Sequence, residues 1–143
     1  MLSSPDLTVE KLDSLMENFE KTSNDGTHTD AGWLSNKFKY KSVEFPKYIV
    51  PYGVSKIGLS ALSRIQQRMM KDDDRQDIVV NHVHPGVVDT DLANGLGYMT
   101  IDRGSEACVF AALLPANSEI RGAYIWHDCS LVDWVNGPLP ELL

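Results

Sequence analysis

Ile78-Val79-Val80-Asn81-His82-Val83-His84-Pro85-Gly86 decides the fold class of this chain. The run is rich in β-branched residues, nearly continuously apolar and too short for a helix. It therefore predicts a strand over residues 78–83, covered on both faces in a parallel sheet and stopped by the Pro-Gly break. Immediately upstream, Val54, Ile57, Gly58, Ala61, Leu62, Ile65 and Met69 fall on one face of a helix predicted over residues 52–71. The run Asp72-Asp73-Asp74 ends that helix as a solvated terminus. Downstream, Ala107, Phe110, Ala111 and Leu114 mark a helix stopped by Pro115, and Gly122-Ala123-Tyr124-Ile125-Trp126 reads as a second strand. Helix, strand, helix, strand is the order of an α/β fold with right-handed crossovers. Ligands in such sheets gather at the carboxyl ends of strands, where residues 84–90 would lie.

Further from that centre, Leu12, Leu15, Met16 and Phe19 recur at helical spacing behind Thr8, a capping residue, so residues 9–20 should form an amphipathic helix. Asn24-Asp25-Gly26 is its stop. Between Thr27 and Pro51, Lys37, Lys39, Lys41 and Lys47 alternate with aromatic residues and serine, which reads as a solvated loop with a short extended piece.

Bulk properties narrow the function classes. With 143 residues, 43% hydrophobic and 23% charged, the chain has the composition of an ordinary folded domain. A formal charge of -7 repels nucleic-acid backbones and anionic membrane surfaces, so neither is expected as a partner. No stretch approaches the length of an apolar membrane span, and the first residues lack the basic and apolar regions of a signal peptide. A cytoplasmic protein is the expectation. Cys108 and Cys129 form no metal or disulfide pattern and are expected as buried or half-buried thiols in a reducing compartment. His82 and His84 are taken to face opposite sides of their strand, so no metal site is expected. His28 and His127 are read as surface or hydrogen-bonded residues, and Trp126 and Trp134 as packing groups.

The candidate chemistry begins at Tyr52 and Lys56. Four residues apart at the start of a helix, they project from one face and can reach one ligand. An ammonium beside a phenol favours the phenolate, which suits a tyrosine that moves a proton at neutral pH. The spacing alone is a weak motif, and its surroundings decide. Tyr52-Gly53-Val54-Ser55-Lys56-Ile57-Gly58, followed by Pro85-Gly86-Val87-Val88-Asp89-Thr90-Asp91, resembles the YxxxK and PGxVxT pair of the short-chain dehydrogenase/reductases. Within that family the chain looks most like the carbonyl reductase subgroup. Residues 7–33 are similar to that subgroup's helical insertion before the catalytic tyrosine, and residues 103–115 to the family's late helix.

The resemblance implies the C-terminal portion of a Rossmann-like, doubly wound parallel sheet lacking the N-terminal dinucleotide-binding half. Residues 1–143 would be one partial domain: insertion 7–33, loop 34–51, catalytic helix 52–71, and C-terminal strands and helix 78–143. It further implies reduction of ketones, aldehydes or quinones by hydride transfer from NADPH. Tyr52 would donate the proton, and Lys56 would hold the ribose hydroxyls and favour the phenolate. Tyr52, Lys56, Pro85, Gly86, Val88, Asp89 and Thr90 are the implied cofactor contacts. Leu92, Ala93, Leu96 and Met99 are the implied substrate wall, with a surface loop carrying scattered apolar residues as the competing reading.

The chain departs from the family pattern in three places. Its ten glycines never form GxxxGxG, and no residue stands for the family's catalytic serine. The stretch 34–50 is also longer than its counterpart in the subgroup. The expectation is therefore a chain inactive on its own and prone to self-association, cut from a complete protein that is monomeric. The alternative is a catalytically dead module that binds a partner through an exposed sheet edge.

Overall fold

The computed structural model describes residues 1–33, 39–40, 43–44, 49–75, 77–138 and 140. They form three α-helices, a two-stranded hairpin and a three-stranded mixed sheet. The chain divides into two compact units, residues 1–65 and 66–143.

In the first unit, α1 (Val9–Asn24) starts where the sequence predicts, with the Thr8 hydroxyl accepting from the Lys11 amide at 3.3 Å. It runs four residues beyond the predicted end at position 20. The termination is a Schellman turn: Gly26 takes φ +73°, its amide donates to the Ser23 carbonyl at 3.2 Å, and the Thr27 amide donates to the Thr22 carbonyl at 2.8 Å. A short antiparallel hairpin follows, β1 (Lys39–Tyr40) with β2 (Val43–Glu44), inside the segment predicted as loop with an extended piece. The rest of that segment lies outside the described residues.

The second helix, α2 (Ile49–Lys71), begins three residues before the predicted start, so that Pro51 sits in its first turn. Proline is tolerated there because the first-turn amides have no intrahelical acceptor in any case. Leu7 and Leu12 pack with Ala61 and Ile65, and Phe19 packs with Val50 and Val54. Each of these side chains except the single methyl of Ala61 contributes roughly 1.5–3 kcal/mol when fully buried. Two members of the predicted apolar face, Ile57 and Met69, are exposed, while Ser63 and Gln67 are buried. Gln67 is buried for a reason that periodicity does not encode. Within the second unit its Oε1 accepts from the Val80 amide at 2.7 Å, serving an amide that has no backbone acceptor among the described residues.

In the second unit, β3 (His82–Val83) pairs in parallel with β4 (Tyr124–Ile125), as the sequence predicts, with His82 opposite Tyr124. The regular ladder is shorter than the predicted strands. Ile78, Val79, Val80 and Val83 are half-buried, not covered on both faces. The extension upstream is held by the Val80 carbonyl, which accepts from Gly122, and by the Asn81 side chain. That side chain donates to the Ile120 carbonyl and accepts from the Ala123 amide, both at 2.9 Å. A third strand, β5 (Leu131–Val132), runs antiparallel to β4, so the sheet is mixed and not purely parallel. The sequence reading missed β5 because its two residues are too few to show alternation. Its turn uses Asp128, whose carboxylate accepts from the Ser130 amide and hydroxyl, and Cys129 at φ +67°.

Helix α3 (Ile101–Ala112) starts six residues before the first apolar marker used to predict it. Thr100 is its N-cap, accepting from the Arg103 amide at 3.3 Å. It packs on the sheet side through buried Gly104 and Ala107, and a Cβ on Gly104 would overlap the Val88 side chain. Ile125 and Trp126 are buried at the sheet. No helix among the described residues is long and apolar enough to cross a membrane.

Four readings of single residues are corrected. Side chains two apart on a strand share a face, and His82 and His84 do so. His82 stacks on Tyr124 with centroids 4.6 Å apart, His84 stacks on Trp126 at 4.1 Å, and His84 also meets the Tyr124 ring edge-on at 6.4 Å. His28 is buried, its two ring nitrogens lack hydrogen-bond partners among the described residues, and its ring stands edge-on to Phe19. His127 is half-buried, with no partner for Nδ1 among the described residues. Cys108 is exposed, whereas Cys129 is half-buried as expected.

Candidate active site

The rotation of α2 is set by Val54, Gly58, Ala61 and Ile65, which are buried. Residues on the opposite side are consequently turned to solvent, and Tyr52 and Lys56 are both exposed. The Lys56 Nζ lies 5.4 Å from the centroid of the Tyr52 ring, over its face. Such a contact holds the ammonium by attraction to the ring's π electrons. The Ser55 hydroxyl donates to the Tyr52 carbonyl at 2.7 Å, which keeps that serine on its own helix. The structure thus brings Tyr52 and Lys56 together as the spacing predicts. They offer a phenol oxygen and an ammonium to one approaching molecule.

Two concavities lie along α1 in the same unit. The one of about 510 Å³ has Met16, Phe19 and Pro51 among its walls, with Glu17, Glu20 and Ser55 at its margin. Pro51 and Ser55 flank Tyr52 in the sequence, so this groove opens beside the helix turn that carries the tyrosine.

The second group of candidate residues belongs to the loop after β3, in the other unit. The chain turns sharply at Gly86, φ +80°, a conformation that costs glycine little. The Val87 carbonyl accepts from the amides of Tyr98 and Met99 at 2.9 and 3.2 Å, and the Asp89 amide donates to the Met99 carbonyl at 2.8 Å. Residues 87–99 are thereby closed into a compact loop around a parallel bridge between Val88 and Met99. Gly97 permits the closure, because a Cβ there would meet the Asp89 backbone. Pro85, Asp89 and Thr90 are exposed, and Gly86 and Val88 are half-buried. Among the implied substrate-wall residues, Leu92 and Leu96 stand 93% and 78% exposed and Ala93 is half-buried. Met99 is buried against Gly86.

His84, read from the sequence only as half of a rejected metal pair at the end of its strand, also belongs to this loop. His84 Nδ1 accepts from the Gly86 amide at 3.0 Å, bridging the turn across Pro85. Burial, and then the neighbouring His127, hold its pKa below the usual imidazole value; a backbone hydrogen bond acts in the other direction. The sequence carries no signal for this role, because it depends on the left-handed backbone at Gly86. Among the described residues no group of His, Cys, Asp and Glu could hold a metal ion.

Curated proteins similar to this chain are carbonyl reductases. Carbonyl reductase [NADPH] 1 of Rattus norvegicus is 34% identical over 132 residues, which is 92% of this chain and 43% of that protein. Carbonyl reductase [NADPH] 3 of Homo sapiens is 32% identical over 132 residues, with the same coverage. Carbonyl reductase [NADPH] 1 of Sus scrofa is 32% identical over 139 residues, 96% of this chain and again 43% of the relative. The chain therefore spans less than half the length of the curated relatives it matches. No protein-family model matches it.

Proposed function

We propose that this chain, a carbonyl reductase relative over nearly its whole length, carries the proton-transfer half of an NADPH-dependent reduction of a small carbonyl compound. The observation that carries the reading is the Tyr52-Lys56 pair, presented to solvent from one face of α2. NADPH, when bound, supplies the hydride in such a reduction. The chain's own part is acid-base chemistry and positioning. The Tyr52 hydroxyl donates its proton to the substrate carbonyl oxygen, and the Lys56 ammonium favours the phenolate left behind. The same ammonium is a hydrogen-bond donor for a ribose diol.

The donor set of the first unit, a phenol oxygen and an ammonium, fits the nicotinamide ribose of the cofactor, while the loop of the second unit is assigned its own contacts at Pro85, which has no amide to donate, and at Gly86, Val88, Asp89 and Thr90. It does not extend to the pyrophosphate, since the glycines of the chain form no phosphate-cradling turn. Leu92, Ala93 and Leu96 are assigned to the substrate side, with Met99 shaping the loop from beneath. On this reading the 143 residues alone bind the cofactor weakly and turn substrate over poorly.

A second reading rests on the outer edge of β3. The amides of His82 and His84 donate to β4, leaving those of Asn81 and Val83 directed to the other edge, without an acceptor among the described residues. Such an edge can take a further strand from a partner, for which a full-length carbonyl reductase is the natural candidate.

Fluorescence titration of the purified chain with NADPH tests the first reading, with Lys56→Ala alongside. Saturable binding that weakens at least about tenfold in Lys56→Ala supports it, a loss equal to a charge-assisted hydrogen bond. No binding by a folded chain, together with co-elution of the chain with a full-length relative, would leave the binding module as the better account.

A further inference from the structure

We infer that His84 is an acid-released latch on the loop from Pro85 to Met99, closed through its neutral ring and opened when the ring takes up a proton. The turn that leads into the loop is tied by one side-chain hydrogen bond. Gly86 N–H donates to His84 Nδ1 at 3.0 Å, so Nδ1 must carry a lone pair and the ring must be neutral. Protonation puts an N–H where the acceptor was, facing another N–H.

The consequence travels along the backbone. Gly86 at φ +80° sets the direction in which Val87 and Asp89 leave the turn, and those two residues hold the far end of the loop at Tyr98 and Met99. Met99 is buried on Gly86 itself, so opening the turn also uncovers the methionine.

The surroundings oppose the charged ring. On β3, His82 lies on the same face. From β4, Tyr124 presents its ring, and beyond Trp126 stands His127, a second imidazole that disfavours another positive charge nearby. Asp128 follows His127 but is exposed, with its carboxylate engaged by Ser130. Helix α3, also packed on β3, carries Asp102, Arg103 and Glu106 exposed to water. No carboxylate among these is hydrogen-bonded to the His84 ring. The stack on Trp126 at 4.1 Å works the other way, since an aromatic face attracts a cation. That stack holds the ring in place while its hydrogen bond is lost. Burial of the ring agrees in direction, keeping its pKa below the ordinary imidazole value.

Amide hydrogen exchange of the 143-residue chain, corrected for the intrinsic pH dependence of exchange, reads the latch directly. Between pH ~7.5 and ~5.5, either side of the imidazole range, residues 86–99 should lose protection about tenfold or more while the β4–β5 hairpin keeps its own. His84→Asn is the control, because the asparagine oxygen can accept the Gly86 amide as in an Asx-turn and does not titrate. It should abolish the pH effect. Equal protection of the loop at both pH values, or a loss that persists in His84→Asn, overturns the proposal. Should that variant fail to fold, nitrogen NMR of the wild-type ring decides. The His84 nitrogens and the Gly86 amide titrating with one midpoint support the latch, and a ring that protonates without moving the Gly86 amide overturns it. The effect on NADPH rests on the function proposed above: binding should weaken in acid in the wild type but not in His84→Asn. Failure to bind NADPH at any pH would sink that function and leave the exchange result standing.

Discussion

His84 shows how one ring nitrogen links a sequence position to stability. Its pKa in the folded chain is lowered, so the folded state takes up a proton less readily than the unfolded chain. The stabilisation from the neutral ring is therefore complete above the unfolded value of about 6.5 and is lost as pH falls through the lower folded value. A thermal melt of the second unit should accordingly show a lower midpoint at pH ~5.5 than at ~7.5, with His84→Asn flattening that difference. A wild-type midpoint that rises in acid would contradict the sign. The same scale marks what residue types conveyed in advance. Tyr52 and Lys56 were legible from spacing, because positions four apart on a helix must share a face. The accepting role of His84 was not, since it depends on the backbone turn at Gly86.

At the scale of the elements, local signals placed the helices and long-range ones adjusted them. Thr8 and Gly26 carry the cap and stop of α1 in their own chemistry, and both act as the sequence suggests. The apolar face of α2 was read less well. Ile57 and Met69 are exposed, and the polar Gln67 is buried because an otherwise unpaired Val80 amide requires an acceptor. Gln67→Leu keeps the volume and removes the acceptor. It should cost about 1–3 kcal/mol, the penalty of a buried donor left without a partner. Urea denaturation measures it, and a neutral or stabilising substitution would mean that water serves Val80 as well as the side chain does. β5 escaped the sequence reading since two residues joined by an Asp-Cys-Ser turn carry no periodicity.

For the whole molecule, the parallel pairing of β3 with β4 was foreseen and the mixed character of the sheet was not. The sheet's buried centre is Ile125, which is fully enclosed in the second unit. Ile125→Ala should destabilise that unit by about 2–5 kcal/mol, the range for emptying a core site. Exchange protection at β3 and β4 should fall with it, and unchanged protection there would show that the core of the unit lies elsewhere. Exposed apolar residues such as Leu59, Leu92, Leu96 and Leu113 have no counterpart in the periodic patterns, which mark what a helix or loop can bury and not what covers it.

By itself the sequence determined the α/β class, the cap and stop of α1, the pairing of Tyr52 with Lys56 on one helix face, and a likeness to carbonyl reductases carried by two motifs. These follow from local stereochemistry and residue chemistry, which act over a few neighbouring positions. Tertiary structure alone decided the burial of Gln67 and His28, the aromatic face that gathers His82, His84, Tyr124 and Trp126, the third strand, and the Gly86 amide on His84. Each depends on groups distant in sequence, or on a turn whose geometry the packed loop sets, and on the requirement that a buried polar group find the partner the fold brings to it.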